Sequence, residues 1–222
     1  MKYLSIHTLF YAVFIFQALG FAGADEGTAW SEPVKNLNEN MDNNESGLES
    51  ITLGGGCFWC MDAVFSRVRG VRSATPGYAG GHLQNPTYEQ VKTGNTGHAE
   101  VVRVVYDPDE VSSIQLLEVF FRVHDPTTLN RQGADVGTQY RSVILAENDR
   151  QYNEALEVKQ RLEAEKIWDN PVVTEITRLE LFYEAEEYHH DYFEKNPSQA
   201  YCQMVIQPKV EKFKKLFRDL AE

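Results

Sequence analysis

Three consecutive glycines, Gly54-Gly55-Gly56, stand between a strand pattern and a helix pattern and constrain the chain more than any other feature. Upstream, Ile51-Thr52-Leu53 reads as a short strand. Downstream, Phe58, Met61, Val64, Phe65 and Val68 recur at helical spacing until Gly70 stops the run. A strand that turns into a helix through residues lacking Cβ atoms leaves the backbone open to close approach and aims the helix N-terminus at one point. Cys57 occupies that point, where backbone N–H groups and the helix dipole favour a thiolate. Cys60 follows one helical turn later, on the face of Val64, completing a Cys-x-x-Cys around Phe58 and Trp59.

The chain of 222 residues is not homogeneous. Residues 1–24 read as a secretory signal peptide: Lys2 is a positive start, Leu9 to Leu19 is apolar except for Gln17, and Ala22-Gly23-Ala24 is a small-residue cleavage site. The apolar run is about half the roughly 20 residues a spanning helix needs. Residues 25–49 hold seven acids against Lys35 and few apolar residues, so they read as an acidic disordered linker. That linker carries half of the net charge of −12. The remaining acidity argues against a phosphate-backbone binder and hence against nucleic acid as partner. Residues 50–222 form one domain.

Within that domain, strand and helix patterns alternate. Val71 to Tyr78 reads as extended but broken at Pro76-Gly77, and His98 to Tyr106 is the clearest strand. Ser112 or Ser113 caps a helix that Asp125-Pro126 ends. Ser142 to Ala146 is a strand, Asp149 to Ile167 a helix, Val172 to Leu179 a strand and Glu184 to Lys195 a helix. An amphipathic run from Val210 to Leu220 closes the chain. The alternation predicts an α/β sandwich with a sheet covered by helices, and leaves the strand directions open. Thr127 to Tyr140 is a long polar loop whose Asp135, Gln139 and Tyr140 suit a pocket or a solvated connection equally. Cys202 follows Pro197 in a segment without a clear period, which makes it a thiol on a mobile tail.

Three cysteines are too few and too odd in number for a disulfide scaffold, so their role is chemical. A zinc site is disfavoured. There is one Cys-x-x-Cys, and the adjacent His189 and His190 would point about 100° apart on a helix. Cys57 and Cys60 alone fit a general thiol–disulfide oxidoreductase. A non-catalytic methionine- or peptide-binding module is a further reading.

Five further motifs accompany Gly55-Gly56-Cys57-Phe58-Trp59-Cys60. They are Tyr78-Ala79-Gly80-Gly81, Asn85-Pro86-Thr87-Tyr88, Thr96-Gly97-His98-Ala99-Glu100-Val101, His124-Asp125-Pro126-Thr127-Thr128 and Asp135-Val136-Gly137-Thr138-Gln139-Tyr140-Arg141-Ser142. Together, and in this order, they resemble the motifs of the A-type peptide methionine sulfoxide reductases, over about residues 50–208. The resemblance implies a two-layer α/β sandwich, a mixed sheet on a ferredoxin-like core, with an extended C-terminal segment. It implies reduction of methionine-S-sulfoxide in oxidised proteins, peptides or free form. Cys57 would attack sulfur and become a sulfenic acid, and Glu100 would protonate the oxygen. Tyr88 and Tyr140 would hydrogen-bond that oxygen, Asp135 would orient substrate and solvent, and Phe58 and Trp59 would cage the S-methyl group.

Cys202 holds the family's usual first resolving position, and Cys60 is a competing resolver. The resemblance further implies no bound cofactor or metal, with thioredoxin or a similar dithiol reductant as electron donor. A monomer, exported to the periplasm or secreted, completes the expectation. Lys92 stands where many relatives carry a further cysteine, and their glycine-rich, cysteine-containing tail is replaced by Gln203-Met204-Val205-Ile206 and a charged helix.

Overall fold

A computed structural model describes residues 47–222. The expected signal peptide, and the expected linker up to residue 46, lie outside the described residues. A six-stranded sheet runs in the order β7-β6-β1-β3-β2-β8. Its strands are β1 (Glu49–Gly55), β2 (Val71–Ala79), β3 (Ala99–Tyr106), β6 (Ser142–Ala146), β7 (Glu175–Arg178) and β8 (Phe182–Glu184). Helix α1 (Phe58–Phe65) links β1 to β2, and α3 (Ser113–Val123) lies between β3 and β6. The central strands β6-β1-β3-β2 are antiparallel throughout, which is the ferredoxin-like βαββαβ order. Strand β7 joins β6 in parallel, so the sheet is mixed. The short helix α2 (Tyr88–Lys92) precedes β3, and α4 (Asp149–Ala164) follows β6. Between α3 and β6, the two-residue strands β4 (Arg131–Gln132) and β5 (Asp135–Val136) make a small hairpin within the polar loop.

Strand β3 explains the core. Val102 and Val104 join Ile51 and Leu53 against Phe58, Met61, Leu116 and Phe120 of the helices, while Ala99 and Val101 join a thin cluster with Val143 and Leu145. Alternate residues of a strand face opposite ways, so a strand buried on both faces reads as a continuous apolar run. Glu100 shares the parity of Val102 and Val104 and therefore faces the helix layer.

Several boundaries differ from the expectation. Glu49 belongs to β1 rather than to the linker: it pairs with Tyr106, whose hydroxyl donates to its carboxylate, and it forms an ion pair with Arg150. Pro76 does not break β2. It pairs with Val102 on one side, and on the other its carbonyl accepts from Ala185 N just beyond the end of β8, where no ladder donor is required of it. Helix α4 stops at Ala164, with Lys166 at φ 52. β7 is shorter than Val172 to Leu179, because Val173 N donates to Pro126 O instead of to the sheet.

The expected helix from Glu184 to Lys195 is absent. Phe182–Glu184 is strand β8, Glu187–His189 is a 3₁₀ turn, and Asp191 at φ 51 separates that turn from α5 (Tyr192–Lys195). The segment around Cys202 is not a loose tail. It makes a π-helical turn, Cys202–Ile206, that runs into α6 (Gln207–Leu216), and Cys202 is fully buried. Helix α6 packs on α1 and α3 through Val210 and Phe213.

The end of β1 fits closely against its neighbours. A Cβ on Gly54 would stand 2.9 Å from both the Glu100 carbonyl oxygen and Val143 Cγ1. Gly54→Ala should therefore lower stability by about 1–3 kcal/mol through overpacking, measured by urea unfolding. An unchanged midpoint would show that β1 and β3 can separate at this point.

Candidate active site

Gly56, at φ +94, makes the turn that delivers Cys57 to the N-cap position of α1. A Cβ there would lie 2.6 Å from Gln132 Cγ, so the β4–β5 hairpin roofs the turn and leaves space only for glycine. The Cys57 side chain makes no capping hydrogen bond. The first N–H of the helix, on Phe58, donates instead to Glu100 Oε2 at 3.1 Å. Glu100 is 2% exposed, and burial raises its carboxyl to about 8, against the lowering effect of the Phe58 hydrogen bond. At neutral pH it is mostly protonated and can act as an acid.

All three cysteines are buried free thiols. Burial pushes Cys57 well above its ordinary value, and a hydrogen bond with Cys60 and the nearby Glu100 charge add to this. The helix end does not win at rest, contrary to the expected thiolate: desolvation outweighs a dipole confined to one short helix. The hydrogen bond from Cys57 pulls Cys60 the other way, to about 7, against the effect of burial. Burial also raises Cys202, whose charged neighbours are Cys60 and Glu194.

The other expected residues gather around Cys57 and Glu100. Tyr88 opens α2, and Tyr140 ends the 3₁₀ turn Thr138–Tyr140; Glu100 and Cys57 both act on each phenol. Burial first, and then these charges, raises Tyr88 to about 12 and Tyr140 above its ordinary value, so both hydroxyls remain donors. Phe58 stacks near Tyr88 with ring centroids 6.4 Å apart and meets Tyr78 at 5.9 Å. Trp59 stacks on Tyr192 at 3.7 Å, and its indole N–H donates to His189 Nδ1 at 3.1 Å. Asp135 accepts from the Tyr201 hydroxyl at 2.8 Å.

Sequence reasoning missed Tyr201, Tyr192 and Glu186, and weighed His189 only as a zinc ligand. Tyr201 reaches Cys57, Cys60 and Asp135, and its only sequence signal was adjacency to Cys202. His189 is fully buried among the rings of Phe58, Tyr88 and Trp59. Glu186 accepts from Tyr78 and Tyr88; burial works against its ionisation, yet these hydrogen bonds win and hold it below the usual carboxylate range. The aromatic spacing of Tyr188, His189 and Tyr192 could have flagged this segment, had it not been read as a helix. Among the described residues, no group of three or more His, Cys, Asp or Glu side chains is placed to hold a metal.

The family model for peptide methionine sulfoxide reductase matches residues 49–221. The peptide methionine sulfoxide reductase MsrA of Saccharolobus solfataricus is 57% identical over 172 residues, covering 78% of this chain and 96% of that protein. That of Polynucleobacter asymbioticus is 53% identical over 184 residues, covering 83% and 97%. Among solved structures, reduced Mxr1 from Saccharomyces cerevisiae matches with a TM-score of 0.66 and 36% identity, over 72% of this chain and 91% of that one. Methionine sulfoxide reductase A of Corynebacterium diphtheriae matches with a TM-score of 0.65 and 38% identity, over 70% and 78%.

The raised Glu100 carboxyl has a consequence for stability. The folded state holds a proton that the unfolded chain releases near the ordinary value of 4.5. The stabilisation is therefore complete below that pH and is lost as pH rises toward about 8. Relative to Glu100→Gln, the wild-type unfolding free energy should fall between pH 5 and 8, measured by urea unfolding at each pH. Parallel pH profiles would refute the buried neutral carboxyl.

Proposed function

Because the chain belongs to the peptide methionine sulfoxide reductase family, we propose that Cys57, Glu100 and the tyrosines around them carry out its sulfoxide reduction. The observation that carries this reading is Glu100 itself, buried, largely protonated at neutral pH and bonded to the N–H of the residue after Cys57. Cys57 sulfur attacks the sulfoxide sulfur while Glu100 gives its proton to the oxygen. The Cys57 proton then restores Glu100. The hydroxyl then passes to the Cys57 sulfur as the bond between the two sulfurs breaks, so Cys57 is oxidised to sulfenic acid and the sulfoxide is reduced to the thioether of methionine. Tyr88 and Tyr140 donate hydrogen bonds to the oxygen as charge builds on it. Phe58 and Trp59 supply the apolar wall for the methyl group, and Asp135 orients substrate through the Tyr201 hydroxyl.

A second thiol then displaces hydroxide from the sulfenic acid, releasing water and leaving a disulfide. Sequence reading favoured Cys202 as the first to attack. The hydrogen bond between Cys57 and Cys60, with Cys202 within electrostatic reach of Cys60, favours the opposite order. Cys60 attacks first, and Cys202 takes over the bond to Cys60. A thioredoxin-like dithiol restores the thiols. General thiol–disulfide exchange needs only Cys57 and Cys60 and leaves the buried Glu100 without a task.

The substrates are oxidised proteins, peptides or free methionine sulfoxide, with the S epimer at sulfur. The protein acts as an exported monomer in the periplasm or outside the cell, with residues 1–24 removed. Lys2 and the short apolar run before Ala22 support that part of the reading. Among the described residues, no helix is long and apolar enough to cross a membrane.

Glu100→Gln should slow methionine formation in a single turnover by roughly 10²–10⁴-fold. It should also abolish the decline in rate as wild-type Glu100 ionises above pH about 8, with exchange of a small disulfide retained. Retention of full sulfoxide reduction would sink the acid role. Peptide mapping after one turnover of Cys202→Ser should find a Cys57–Cys60 disulfide; a persistent sulfenic acid would instead make Cys202 the first resolver.

A further inference from the structure

Glu186 takes no part in the steps above, yet its carboxylate joins the two elements that must meet at the sulfoxide oxygen. Oε1 accepts the Tyr88 backbone N–H at 2.9 Å, and Oε2 accepts the Tyr78 hydroxyl at 2.8 Å. Tyr78 lies on β2 directly opposite Glu100 on β3, so the two side chains share one face of the sheet. Tyr88 opens α2, a helix of five residues, too short to hold its own position.

The capping box of α2, Thr87 with Gln90, is internal to that helix and fixes nothing relative to the sheet. At its far end, Gln139 Nε2 donates to Lys92 O at 3.4 Å and Thr138 Oγ1 donates to Gly94 O at 3.0 Å, tying it to the turn of Tyr140. At the Tyr88 end, the polar tie to the sheet runs through Glu186. Glu186 is itself held from the sheet side: Glu184 and Tyr183 pair with Gly77 and Tyr78, Ala185 N donates to Pro76 O at 2.9 Å, and the His190 ring donates to Ala185 O at 3.1 Å.

We propose that Glu186 is a positioning residue for sulfoxide reduction, setting the place of the Tyr88 phenol relative to the Glu100 carboxyl. The proposal rests on the roles assigned above to Tyr88 and Glu100. The same carboxylate takes the Tyr78 hydroxyl as its donor, so that this hydroxyl does not donate to Glu100 and stabilise its ionised form.

Glu186→Gln offers one acceptor atom where two are needed and faces one donor with an amide nitrogen. Its partly exposed side chain makes this a mild change to the fold. Misplacement of a reacting group by about 1 Å can cost up to 10²-fold, so methionine formation in a single turnover should slow by about 10-fold or more. The half-saturating sulfoxide concentration should move less than about 2-fold, because Tyr88 acts on charge that develops during reaction. In a Tyr88→Phe background the same substitution should cost less than about 2-fold, since no hydroxyl remains to be placed.

Should Glu186→Gln unfold, Glu186→Asp keeps the charge on a side chain too short to span both donors and should show the same pattern. Equal losses in both backgrounds would overturn the proposal in favour of general support, and so would an unchanged rate in Glu186→Gln. If Tyr88→Phe alone leaves the rate intact, the assignment of Tyr88 fails, and the positioning role fails with it.

Discussion

The hydrogen bond from Phe58 N–H to the buried Glu100 carboxyl is the contact on which the site depends. It ties the first turn of α1 to β3, and the sheet order makes it possible, because β3 is the direct neighbour of the strand that feeds α1. Any wider separation of β1 and β3 would leave a helix N–H unsatisfied and a carboxyl stranded among apolar side chains. Gly54 permits the approach of the strands and Gly56 permits the turn, so the glycine run serves this contact first and substrate access second.

Burial governs the electrostatics in consequence. It makes Glu100 an acid near neutral pH and also suppresses the thiolate that a helix N-terminus would otherwise favour on Cys57. Cys57 and Glu100 therefore keep their protons at rest. A thiol and a carboxylic acid stand side by side, each protonated mainly by desolvation, and reaction requires a substrate oxygen to take one of those protons. Idle reactivity of Cys57 toward other electrophiles is low for the same reason, since its nucleophilic form is the thiolate.

Local pattern read the rigid parts of this fold well. Ser142–Ala146 and the Ser112-capped helix have the extents their periodicity predicts, because each is decided by near neighbours and by burial of one or two faces. It failed where tertiary contacts overrule local preference. Pro76 sits within a strand because the missing donor falls beyond the end of β8. Residues 184–195 are helix formers by composition but are recruited as aromatic walls, with Asp191 strained to permit it. Cys202 is a packed residue because α6 docks on α1 and α3, a long-range event that local periodicity does not encode. For the site, motif resemblance supplied Cys57, Glu100, Tyr88, Asp135 and Tyr140. The residues that hold them, Glu186, His189 and Tyr201, lacked a motif and emerged only from the geometry.

The C-terminal location of those supporting residues bears on when the site comes into being. Trp59 meets His189 across 130 residues of sequence, and Tyr201 closes over cysteines encoded near the other end of the domain. Contacts of such separation form late, after the central sheet has closed the intervening loops. A nascent chain that lacks residues 201–222 thus carries Cys57 and Cys60 without Tyr201, without Cys202 and without α6. Any ending before Tyr201 therefore removes together the hydroxyl that donates to Asp135 and the third buried thiol, so the site is completed only by the last-made part of the chain.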